Sequence, residues 1–97
     1  MAEILRANVI EDEKPYPVMV VPVYRKKLIV GYAQMDTEDY YRFEYVKKWT
    51  FSGGQVVFRG RTMQRLIMES IKRYGFRVCH IDGNPLNNKK SNLRMAY

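Results

Sequence analysis

Residues 78–97 read VCHIDGNPLNNKKSNLRMAY. The single histidine, His80, closes a short apolar run; a polar loop over residues 82–92 follows, with Asn84, Asn87, Asn88 and Asn92, and the chain then reads LRMAY. Asp82-Gly83-Asn84 is turn chemistry, because Asp and Asn side chains bond nearby backbone and Gly accepts a positive φ. FRVCHI, residues 76–81, and LRMAY are therefore expected to be strands that pair back on one another across the loop. Neighbouring side chains on a strand point to opposite faces, so Cys79 and His80 must part. The expectation is a buried thiol and an imidazole facing a polar cleft.

Working backward from this motif, TMQRLIMESIKRYG reads as a helix, with Met63, Leu66, Ile67, Ile71 and Tyr74 at helical spacing and Gly75 as its stop. Trp49-Thr50-Phe51, Ser52-Gly53-Gly54 and QVVFR predict a hairpin. DTEDYYRFEYVKKW predicts a helix capped by Asp36 or Thr37, acidic in its first turn, basic at Lys47 and Lys48, and buried along Tyr40, Phe43 and Val46. PVMVVPVYRKK and LIVGYAQM predict another hairpin joined near Arg25-Lys26-Lys27, with Pro22 favouring an edge position for the first strand. The fold class expected is α+β: a small single domain over residues 1–97, built from antiparallel β-hairpins and two helices, with an acidic segment at 1–16.

The 97 residues carry 17 Lys+Arg against 10 Asp+Glu, and residues 51–97 hold nine of the basic groups with only two acids. A basic half on a small domain is the usual footprint of a polyanion, either nucleic acid or a nucleotide. One cysteine allows no disulfide within the chain, and the acidic start is unlike a signal peptide. No apolar run reaches membrane-span length. A cytoplasmic setting is expected, with no membrane partner. A chain of this size buries a small core, which makes a homo-oligomer plausible.

The order and spacing of His80, Asp82-Gly83-Asn84, Asn87-Asn88 and Ser91-Asn92-Leu93-Arg94 resemble the HNH endonucleases, in particular the small phage and intron-encoded group. The likeness extends upstream through PVYRKK, DTEDYY, Lys47-Lys48-Trp49, the Gly-Gly hairpin and QRLIM, covering roughly residues 20–97. This resemblance implies a ββα-metal site spanning residues 76–97. In it His80 would be the general base that activates water, Asn92 would fix the His80 loop and help orient the imidazole, and a divalent ion such as magnesium would bind the scissile phosphate.

Three departures from the family pattern shape the expected function. Cys79 stands where a hard metal ligand is usual, Gln64 stands before Arg65 where relatives commonly have histidine, and the chain reaches Tyr97 before the helix that carries the family's last ligand. The motif is thus expected to be incomplete, with no metal held; Cys79 and Asp82 would be the ligands only in an active protein. The first function expected is binding of a phosphate-rich ligand without efficient cleavage: nucleic acid, or a nucleotide signal sequestered to counter host defence, in the host cytoplasm if the chain is phage-encoded. Arg65, His80, Asn84, Asn87, Asn88, Lys89, Lys90 and Arg94 are the candidate ligand-binding residues. The alternatives are an active metal-dependent nicking endonuclease and a protein-binding inhibitor of a host nuclease.

Overall fold

The computed structural model describes residues 18–72 and 74–96. The acidic segment 1–16 and the final Tyr97 therefore lie outside the described residues. Strands β1 (Val18–Arg25) and β2 (Leu28–Asp36) form the first hairpin around a turn in which Lys26 takes φ +57°. Helix α1 (Thr37–Arg42) crosses to β3 (Trp49–Ser52), which pairs with β4 (Gln55–Phe58). Gly53 and Gly54 both adopt positive φ, as a two-residue turn matched to strand twist requires. Arg59 and Gly60 repeat that geometry and add a short β5 (Arg61–Thr62) paired with β4. After α2 (Met63–Met68), the strands β6 (Arg77–His80) and β8 (Leu93–Ala96) pair antiparallel, as their flanking turn signals predict.

The fold is mostly strand with two short helices, and its larger sheet is mixed, not purely antiparallel. The order is β5-β4-β3-β1-β2-β7, where β7 is Asn87–Asn88. The contacts of β1 with β3 and of β2 with β7 are parallel. β2 ends where β1 begins, with Asp36 opposite Val18, and the α1 segment crosses to the other side of β1, so β3 runs beside β1 in the same direction. This corrects the expectation that Pro22 marks an edge strand. Contact between β1 and β3 begins only at Val23 and Trp49, so Pro22 sits just before the ladder and withholds no needed donor.

Both helices are shorter than their patterns suggest. Past Arg42 the chain runs through Phe43, Tyr45 and Val46, aromatic and β-branched residues with weak helix propensity. It bends there while Phe43 and Val46 still reach the core, and Lys47 and Lys48 lie beyond the helix. At α2, Arg65 donates to the Phe76 carbonyl at 2.7 Å and lies 4.0 Å over the Phe76 ring. That bracket folds the chain back, and Ile71 and Tyr74, expected in the core stripe, are exposed. Met63 and Ile67 are fully buried against Val23, Met35, Trp49 and Val56. Burying a side chain such as Ile67 contributes about 1.5–3 kcal/mol. Among the described residues no helix is long and apolar enough to cross a membrane.

Candidate functional site

The β6–β8 pair sets the orientation of the motif. Cys79 faces Arg94 across the ladder and His80 faces Leu93. Arg77 and Cys79 are exposed, whereas Val78 and His80 are half-buried and share their face with Leu93 and Met95. The expected thiol burial is therefore reversed. Arg77 must stay in water, and strand alternation then sends Cys79 outward with it and turns His80 toward Val78. Reading the alternation from Arg77 would have given this answer from sequence.

The His80 imidazole is held by Asn88. Nε2 lies 2.7 Å from Asn88 Oδ1, while Asn88 Nδ2 donates to the Pro85 carbonyl at 3.0 Å and approaches Met63 Sδ at 3.1 Å. With the amide nitrogen engaged as a donor, Oδ1 must accept, so Nε2 is the ring nitrogen that donates to Asn88 and Nδ1 is the one left free of it. Asn88 is fully buried, placed by the parallel contact of β7 with β2 and by Met63 at the start of α2. Asn88 was expected to face a ligand; instead it positions the imidazole. Gln64, next to Met63, points elsewhere and donates to Gln55 Oε1.

The Asn92 amide ties the loop together through Asp82 and Asn87. Its Oδ1 accepts from the Asp82 backbone N–H at 3.1 Å, and its Nδ2 donates to Asp82 Oδ1 and to the Asn87 carbonyl, both at 2.9 Å. The Ile81 N–H donates to the Asn92 carbonyl, so loop and strand close together. Asp82 is the hub. It also accepts from the Asn84 N–H at 2.8 Å and from Asn87 Nδ2 at 2.9 Å. Those bonds, first Asn84 and then Asn87 and Asn92, hold its carboxyl down to about 2. Asn84 and Asn87 thus serve the loop, although Asn87 Oδ1 is buried without a hydrogen-bond partner among the described residues.

The remaining expected ligand residues do not converge on His80. Lys90 turns to α1, with Nζ 2.9 Å from both carboxylate oxygens of Asp39 and 3.1 Å from Glu38 Oε1, and its N–H donates to Asp36 Oδ2. The reason is a buried acid: Asp39 is fully buried and needs a cation. The sequence carried the signal, since Asp39, Phe43 and Val46 stand at i, i+4 and i+7 on one helical face. Arg65 is occupied by Glu69 and Phe76. Arg94 lies on the outer face of β6–β8 with Arg77 and Cys79, opposite the imidazole. Lys89 is half-buried between Asn88 and Lys90. A separate cleft of ≈ 280 Å³, lined in part by Tyr24, Tyr40, Lys47 and Trp49, opens between β1 and the segment after α1.

No protein-family model, curated protein or solved structure matches the chain. Among the described residues no group of three His, Cys, Asp or Glu side chains is placed to hold a metal ion.

Proposed function

We propose that this chain binds a phosphate-rich ligand, nucleic acid or a nucleotide, on an HNH-like scaffold whose hydrolytic site is impaired. The observation that carries this reading is the division of the motif into two faces. On one, Asp82 is engaged by three hydrogen bonds from the loop it organises, while the thiol that replaces a hard ligand leaves on the other face, away from His80. One imidazole cannot stabilise the charge that develops in phosphodiester hydrolysis. On the outer face, Arg77 and Arg94 are diagonal neighbours, both exposed, in the half of the chain that holds the basic excess. Guanidinium groups bind phosphate through paired N–H donors.

Affinity for a polyanion such as a mixed-sequence oligonucleotide is therefore expected to fall steeply with salt. The double substitution Arg77→Ala and Arg94→Ala should reduce the slope of log affinity against log salt by about 1.4 for a single strand and about 1.8 for a duplex. Titration over a range of salt concentrations measures it. An unchanged slope would reduce the basic half to a solvated face.

A second reading, an active metal-dependent nicking endonuclease, is favoured by one observation: Asn88 holds the His80 ring through Nε2, which leaves Nδ1 as the nitrogen a general base would use. Plasmid nicking with magnesium and with manganese separates the two. No nicking above background is expected, and nicking that disappears in His80→Ala would overturn the binding-only proposal.

A further inference from the structure

Strand β2 is covered on its outer edge only at one end. The β7 contact reaches Gln34 and Met35, and the Gln34 N–H donates to the Leu86 carbonyl at 2.7 Å. The Leu86 side chain lies 3.3 Å from where a Cβ on Gly31 would stand, so it packs over the face of the sheet at Gly31 and leaves the strand edge there unpaired. Among the described residues no strand pairs with that edge over residues 28–33. There Leu28 is 72% exposed, Val30 46% and Tyr32 55%, with Ile29 exposed beside them. On β1, Val20 is 56% exposed and Val18 is open on the same outer face.

The stretch LIVGYAQM, residues 28–35, carries no charge and no proline. An open strand edge of β-branched and aromatic residues is one that proteins ordinarily blunt with charge, proline or a covering element. No charge or proline interrupts this edge between Lys27 and Asp36, and among the described residues β7 covers only its Gln34–Met35 end.

We propose that a second copy of this chain covers it, β2 pairing antiparallel with β2 of the partner about a two-fold axis at Val30. The edge is complementary to itself. In that register Leu28 meets Tyr32 of the partner, Ile29 meets Gly31 of the partner beside the Leu86 side chain that packs over it, and Val30 meets its own copy. The Arg25-Lys26-Lys27 turn of each copy lies toward the Gln34–Asp36 end of the other, so the basic turn meets an end carrying Asp36. The uncharged seam brings no cations face to face in a chain of net charge +7. The exposed apolar side chains and strand edges of two copies supply on the order of 1,000 Å² of buried surface, near the lower limit for a specific interface, so a reversible dimer is expected.

Sedimentation velocity of the full chain across low to high micromolar concentrations tests this, together with Val30→Lys and Val30→Glu. Wild type should move from monomer to dimer. Either variant alone should remain monomeric, with its dimer affinity lowered at least tenfold, because like charges then face each other across the axis. An equimolar mixture of the two should dimerise again at low salt. Far-UV circular dichroism checks that the variants fold, and Leu28→Lys, at the most exposed position of the edge, replaces Val30→Lys if that chain does not. A wild type monomeric throughout, a dimer that survives the lysine substitution, or a mixture that stays monomeric overturns the proposal.

Discussion

Replacing Lys90 by Ala is expected to cost about 3 kcal/mol of folding stability, because it strands a buried carboxylate. Asp39 is fully buried, and its two oxygens each receive the Lys90 ammonium at 2.9 Å. Arg42, 3.4 Å from Asp39 Oδ1, is its other cation but is also committed to the Ile67 carbonyl at 2.9 Å. Burial pushes the Asp39 carboxyl above its ordinary range, against the pull of Lys90 and Arg42. Without Lys90 that pull weakens and the carboxyl rises further. A folded-state value above the unfolded one favours the protonated fold, so the loss should be largest at neutral pH and shrink as pH falls toward the unfolded carboxylate value near 3.8.

Lys90 titrates in the opposite direction. Burial works against its charge, yet hydrogen bonds to Asp39 and Glu38 hold the ammonium above its usual 10.5. Its contribution is complete below that value and is lost as pH rises through the folded one. Urea unfolding at neutral pH measures the cost of Lys90→Ala. The double variant Asp39→Leu, Lys90→Met should recover most of it, since well-packed apolar side chains can replace a buried pair. A Lys90→Ala loss near zero would put the pair among solvent-screened surface bridges.

Asn92→Ala is expected to cost about 1–2 kcal/mol, the loss of three part-buried hydrogen bonds, one of them to a carboxylate. The substitution frees the Asp82 N–H and the Asn87 carbonyl together and removes one donor to Asp82 Oδ1. Thermal unfolding reads the cost, and the acid limb reads the cause. The folded-state value of Asp82, about 2, lies below its unfolded 3.8, so its stabilisation is complete above 3.8 and disappears as pH falls through about 2. In Asn92→Ala, carboxyl NMR titration should find Asp82 moved up toward 3.8 while the Asn84 bond keeps it below that value. An Asp82 titration identical to wild type would mean that Asn92 does not hold the loop.

The amino-acid sequence by itself determined the local units: the two expected hairpins, the return of residues 93–96 onto 77–80, and the Asn-rich loop between them. Turn chemistry and strand alternation act over a few residues and are written where they act, as in Gly53-Gly54 and Asp82-Gly83-Asn84. The burial of Asp39 and the outward turn of Cys79 were present in those same periodicities, at i+4 from Asp39 to Phe43 and at alternation from Arg77. Only the tertiary structure decided what Lys90, Arg65 and Asn88 do. Lys90 meets Asp39 from 51 positions away and Asn88 meets Met63 across 25. Arg65 is claimed by a carbonyl that approaches only after the chain folds back. Local patterns set which residues are charged or polar, whereas the burial of one acid and the docking of β7 against β2 choose their partners. Desolvation makes those distant pairings necessary, and it exists only once the core has closed.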